Sequence, residues 1–337
     1  MSKALDCFGF PSTYSHLSSL KRIDAGRMAL ARALITLGPS HRSHLLSGSF
    51  WWAIRGVSTV FSLLNASLYP TAAFRGQTAS HRKSDSFLLG EALTHWFAQR
   101  HLKTRVVVPL ESHLGSLVKA GPNASYPKEM PKHFRNGVKL GPKAEPDFLA
   151  FSGAGDVHVL ESKGRAAFGS FGVVEREVNA ARNKALRQVC KVAKVNGVSP
   201  VTRTACVFAF DTGGTRGQIT DPPSVQRLDY QADMPGLIRQ AYATVLDPTF
   251  EVHRRPIDGE YEGIEFAPGW WFGIHRAVYR TLRTVEDADS AARFLRLLDN
   301  VAEDGEEIEG VRSAGPDGLV LIGDPKPEKI RLYLRSS

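Results

Sequence analysis

The stretch Glu145-Pro146-Asp147-Phe148-Leu149-Ala150-Phe151-Ser152-Gly153-Ala154-Gly155-Asp156-Val157-His158-Val159-Leu160-Glu161-Ser162-Lys163 decides the fold. Phe148 to Phe151 is a short apolar and aromatic run, and Val157 to Leu160 is a second run rich in β-formers. Between them, Gly153-Ala154-Gly155 supplies glycines that accept a positive φ, so the pattern predicts strand, tight turn, strand. Side chains alternate along a strand, which puts Val157, Val159, Glu161 and Lys163 on one face. The two valines should face a core, and the same face then ends in a carboxylate and an amine. Counting outward from the Ser152 to Asp156 turn brings Asp147 opposite Glu161.

Two carboxylates held this close repel and raise a pKa unless a cation sits between them. Hard oxygen ligands of this kind suit Mg²⁺ or Mn²⁺ better than zinc. Lys163, on the same face, can hold a water or steady developing negative charge. Metal ion, activated water and lysine together are the means of hydrolysing a phosphodiester.

The flanks predict a compact α/β unit. Ser84 to His101 has the apolar periodicity of a helix, with Ser84 or Asp85 as cap and Glu91 at the margin of its apolar face. Arg105 to Leu110 is a strand. Residues 111 to 145 form a long connection, basic through Lys128, Lys132, His133, Arg135, Lys139 and Lys143. Residues 173 to 196 predict a helix whose apolar stripe runs from Val174 to Val195, with Gln188 on the stripe and Gly197 at its end. Val201 to Phe210 is another strand, closed by Asp211-Thr212-Gly213-Gly214, which lacks the Gly-Lys-Ser/Thr of a phosphate loop.

Pro146-Asp147 followed by Glu161-Ser162-Lys163 resembles the signature of the PD-(D/E)xK nuclease superfamily, across about residues 84 to 211. The resemblance implies a restriction-endonuclease-like αβββαβ core with a mixed sheet. It implies that Asp147 and Glu161 bind the metal, that the Ser162 carbonyl adds a ligand, and that Lys163 is the catalytic lysine. It places Glu91 beside the metal, and Gln188 or Lys184 as the polar residue of the following helix. The same literal string recurs at Pro316-Asp317 and Asp324-Pro325-Lys326. There, only Gly318 to Gly323 separates the carboxylates, too few residues for two strands, and Pro325 would break the strand carrying the lysine.

The outer regions carry less chemistry. The chain of 337 residues has a net charge of +9, and residues 1 to 83 account for +8 of it. Such a basic region favours phosphate backbones or anionic surfaces. It reads as a helix over 18 to 37, amphipathic with Arg27 and Arg32 among its charges, and a second over 47 to 67. The apolar stretch 47 to 68 approaches bilayer length but carries Arg55 and Asn65, which favours a buried or interfacial helix. No zinc-finger spacing or secretory pattern is visible, and Cys7, Cys190 and Cys206 are scattered, which points to a reducing cytoplasm. Beyond 216, helices are expected at 234 to 246, at 269 to 283 with Trp270, Trp271 and Phe272, and at 288 to 301. The acidic run from Glu303 to Glu309 reads as a solvated loop, and strands at 319 to 322 and 330 to 334 end the chain.

The expected organisation is a basic helical region (1–80), a nuclease core (81–215) and an α+β extension (216–337). The expected activity is a Mg²⁺-dependent nuclease acting on nucleic acid, DNA ahead of RNA, in restriction, repair or defence against phage. A non-catalytic nucleic-acid-binding protein of the same fold and a membrane-associated protein using residues 47 to 68 are the alternatives. The oligomeric state stays open, a homodimer included.

Overall fold

The computed structural model describes residues 4–38, 45–110, 117–120, 146–168, 171–222, 228–301, 307–308 and 311–323. In chain order the strands are β1 (Ala4–Phe8), β2 (Thr104–Pro109), β3 (Leu117–Ala120), β4 (Phe148–Ser152), β5 (Val157–Ala166), β6 (Val192–Val195), β7 (Thr202–Asp211), β8 (Gly214–Thr220) and β9 (Leu228–Ala232). They continue with β10 (Arg255–Asp258), β11 (Tyr261–Ala267), β12 (Trp270–His275), β13 (Glu307–Ile308), β14 (Arg312–Ala314) and β15 (Leu319–Ile322). The helices are α1 (Arg27–Leu37), α2 (Leu45–Leu63), α3 (Ala72–Arg75), α4 (Ala79–His101), α5 (Phe171–Val189), α6 (Met234–Ala241), α7 (Pro248–His253), α8 (Arg276–Leu282) and α9 (Ala288–Val301).

The architecture is mixed α/β. Its central sheet runs β1-β8-β7-β5-β4-β2. It mixes parallel pairs (β1 with β8, β5 with β7) and antiparallel ones (β7 with β8, β4 with β5, β2 with β4). β5 and β7 form its middle, buried from Val157 to Gly164 and from Thr202 to Asp211, as expected of strands covered on both faces. α4 packs on β5, β2 and β7, and α5 on β7 and β5. A second sheet, β10-β11-β12-β15-β14-β13, lies against α2, α1 and α8, and a small third one joins β3, β9 and β6. One continuous apolar core runs from Leu5 to Leu321 through all three stretches of the chain.

Several expectations are corrected. The first helix does not begin at residue 18: residues 12 to 19 are a 3-10 turn, and α1 starts at Arg27 after Gly26. Nor is α1 amphipathic, because every residue from Met28 to Leu37 is buried, Arg32 included. The N-terminal region is also not purely helical, since β1 extends the central sheet through β8. α4 begins five residues before Ser84, capped by Thr78, whose hydroxyl accepts from the His81 N–H at 3.5 Å.

The helix expected over 173 to 196 ends at Val189, and Val192 to Val195 pair with β9 as a strand. The segment expected as a helix over 269 to 283 is half strand: Trp270 to His275 pair with β11 and β15, and only then does α8 begin. Trp270 is fully buried there, so it is a core residue. Part of the 111 to 145 connection, Leu117–Ala120, is strand β3, paired with β9. The basic residues assigned to that connection lie outside the described residues, as do Asp324, Pro325, Lys326 and the expected strand 330 to 334. Among the described residues no helix is long and apolar enough to cross a membrane. α2 instead packs on α1, α3 and β11.

Candidate active site at the end of the central hairpin

Turn chemistry sets the register from which the site is built. The Gly155 N–H donates to the Ser152 carbonyl at 3.0 Å, and Gly155 has φ 87°, a value that glycine adopts without strain. From this turn, Phe148 pairs with Leu160 and Phe151 with Val157. Continued by one pair, the register sets Asp147 beside Glu161, as the turn count predicts. Asp147 is also tied to β2, since its carbonyl accepts from the Leu110 N–H at 2.8 Å.

The side chains then lock across the two strands. Asp147 Oδ2 accepts from the Ser162 N–H at 2.8 Å, and Glu161 Oε2 accepts from the Asp147 N–H at 3.0 Å. Lys163 Nζ donates to the Ser162 carbonyl at 2.9 Å, to Asp147 Oδ2 at 3.4 Å, and to Glu161 Oε1 in a short contact. All of this is out of water: Glu161 is 0% exposed, Lys163 7% and Asp147 8%. That burial is incompatible with a solvated ion pair on a surface hairpin.

Burial and two acids against one lysine set the electrostatics. Burial, and then the neighbouring Asp147 charge, push the Glu161 carboxyl up to about 9, against the pull of Lys163. For Lys163, burial acts downward, but Asp147 and Glu161 outweigh it and hold the ammonium above the ordinary lysine value. The two groups touch, so they titrate as a pair. At neutral pH Lys163 is thus held protonated, and Glu161 needs another positive charge to ionise.

Two glycines bring α4 against this strand. A Cβ on Gly164 would overlap the Ser86 carbonyl oxygen, and one on Gly90 would sit 2.7 Å from the Gly164 nitrogen. Backbone therefore packs on backbone beside Lys163, which is a known use of glycine inside a strand. Glu91, half-buried, follows Gly90 directly and so is carried to the same part of β5. Gln188 is buried on α5, 9% exposed, whereas Lys184 on the same helix is exposed. Among the described residues no three His, Cys, Asp or Glu side chains converge as a metal site. The oxygen set that does converge is two carboxylates and the Ser162 carbonyl. Lys163 Nζ stands at their focus.

The Gly90 and Gly164 pair escaped the sequence reading, although a glycine immediately after Lys163 and another within a helix were its visible signs. A second buried polar cluster, around Arg32 and Asp317, also escaped it. Arg32 Nη1 donates to both Asp317 oxygens at 2.9 and 3.1 Å, and Nη2 donates to Gln99 Oε1 at 3.0 Å. Gln99 Nε2 donates in turn to Asp317 Oδ2 at 2.8 Å. The Asp317 of the recurring Pro-Asp string is thus a partner of Arg32. Comparison of the chain with family models, with curated proteins and with solved structures finds no match.

Proposed function

We propose that the chain is a Mg²⁺- or Mn²⁺-dependent nuclease of the PD-(D/E)xK kind, on a restriction-endonuclease-like core, with DNA as its substrate. The observation that carries this reading is the convergence of Asp147, Glu161, the Ser162 carbonyl and Lys163 at the end of two central strands. With β3 and β6 set apart in the small third sheet, the order α4, β2, β4, β5, α5, β7 and the sheet neighbours β7-β5-β4-β2 support the core assignment.

The donor set fits a hard divalent ion. It contains oxygen alone, and magnesium sites use one or two carboxylates and leave other positions to water and phosphate. A cation at these oxygens would also return Glu161 to its charged form, because the same burial that raises its pKa strengthens its attraction to a positive charge. Asp147, Glu161 and the Ser162 carbonyl would hold the ion, and the ion when bound would supply an activated water and polarise the phosphate. Lys163 is held as an ammonium, so its part is to donate hydrogen bonds to the phosphoryl oxygens or the attacking water, and not to act as a base. Burial of the cluster removes competing water and strengthens each of these contacts.

Basic residues stand at the start of α4, past the end of β5. Arg82 lies 5.8 Å from the Phe168 ring, just past the end of β5, with exposed Lys83 beside it in sequence and exposed Arg75 on α3. These supply cationic surface for a phosphate backbone. Arg32 does not, because it is consumed in the core.

The test is cleavage of plasmid, linear duplex, single strands and RNA by the purified chain with Mg²⁺ and with EDTA. Cleavage should require the metal and fall by about 10²- to 10³-fold in Lys163→Ala. Undiminished cleavage in a Glu161→Ala, Lys163→Ala double variant sinks the proposal. Salt-dependent DNA binding without cleavage in any metal would instead support the non-catalytic reading.

A further inference from the structure

A cavity of about 230 Å³ opens on the far side of α4 from its start, where α1, the C-terminal end of α4 and the turn between β14 and β15 meet. It shares no residue with the Asp147 to Lys163 cluster. Arg32, Gln99, Arg100, Lys103, Asp24 and Ala29 are among the residues that line it.

Its charge is biased toward an anion. Arg32 on the wall is 4% exposed and is matched by Asp317. Arg100 is only loosely matched by Asp24, at 3.7 Å with both side chains about half exposed. Lys103 is exposed, and no carboxylate among the described residues pairs with it. Three cations thus stand against two carboxylates.

The wall also offers a donor. A guanidinium carries five N–H groups. Arg32 uses Nε on Ser313 Oγ at 3.4 Å, Nη1 on both Asp317 oxygens and Nη2 on Gln99. One Nη1 N–H serves both Asp317 oxygens, so three donors are engaged, and one N–H on Nη2 has no acceptor among the described residues. Gly315 makes room for this arrangement, because a Cβ there would overlap Arg32 Nη1.

Lys103 is the third sign. It follows the last residue of the α4 cap and has φ 57°, the left-handed region. Helices commonly place Gly or Asn there, because other residues are strained. A lysine at this position loses the conformational ease of glycine and gains a charge over the cavity.

We propose that this cavity is a second ligand site, taking a small organic anion whose phosphate or carboxylate group is held by Lys103, Arg100 and that Nη2 N–H of Arg32. The site is independent of the nuclease reading. The experiment is isothermal titration calorimetry of the full chain with glycerol 3-phosphate, 5′-AMP and succinate, each at low and moderate salt. At least one probe should bind saturably at one site per chain, more weakly at the higher salt. Binding by the phosphomonoesters alone, by succinate alone, or by both, assigns the oxyanion. Lys103→Asn keeps a residue tolerant of the left-handed conformation and should weaken binding by about tenfold or more. Ala29→Phe, filling the cavity, should abolish it. The proposal is overturned if no probe binds at millimolar concentration, if binding is unchanged in Lys103→Asn, or if it vanishes in Glu161→Gln.

Discussion

The chain contains Pro-Asp twice, and both aspartates end in buried clusters with a cation, yet the two clusters differ in kind. At Asp147 there are two acids and one lysine, packed so that Glu161 is forced toward its protonated form. At Asp317 there is one acid and one arginine, with the amide of Gln99 and the Leu319 N–H at 3.1 Å completing the carboxylate. The second cluster pairs its one acid with one arginine, and its work is to tie α1 and α4 to the second sheet. The first has an acid in excess and invites a further cation. Charge balance, and not the dipeptide, separates a scaffold from a candidate site.

The contrast breaks most sharply on removing each cation. Arg32→Leu leaves Asp317 buried without one, and should cost about 3–5 kcal/mol. Lys163→Met also takes the cation from buried Asp147, but Asp147 keeps the Ser162 N–H and Glu161 its proton, so the loss should be smaller, about 1–3 kcal/mol. Urea unfolding in EDTA compares them, and equal losses would show that the two clusters are alike.

Next comes the packing that positions the first cluster. Gly164→Ala drives a methyl into the Ser86 carbonyl, so α4 must move off β5. A loss of about 1–3 kcal/mol is expected, together with loss of whatever activity the cluster has. A variant as stable and active as the parent would mean that the glycine contact does not position the site.

The smallest effect reads the excess acid itself. With its pKa near 9 against 4.5 in the unfolded chain, folded Glu161 keeps a proton that the unfolded chain has released. The stability it contributes therefore falls as pH rises from 4.5 toward 9. Glu161→Gln is neutral throughout, so in EDTA its Tm relative to the parent should rise between pH 5 and pH 6. About 1 kcal/mol or more is expected, or a few degrees. A difference independent of pH would remove the argument that Glu161 awaits a cation.

What was legible in the sequence follows from the range of each interaction. The hairpin was readable to the residue, because turn length and side-chain alternation are local and set Asp147 against Glu161. The same holds for β2, β7 and α9, whose patterns stand alone. Misreadings came where a short segment takes its conformation from a distant partner. Val192 to Val195 continued the apolar stripe of a helix and became a strand because β9 offers an edge. Trp270 to His275 did so between β11 and β15. β1 was invisible because its strand neighbour among the described residues, β8, lies more than two hundred residues away.

By itself, then, the amino-acid sequence determined a hairpin, its register and the meeting of two acids with a lysine, since each depends on residues within one turn and two strands. Only the tertiary structure decided that this cluster is buried, that Glu161 is consequently pushed up to about 9, and that Arg32 is a core residue. Those properties arise from solvent exclusion by α4, by β7 and by Asp317, 285 positions from Arg32. Burial depends on the whole fold, and no local pattern encodes it.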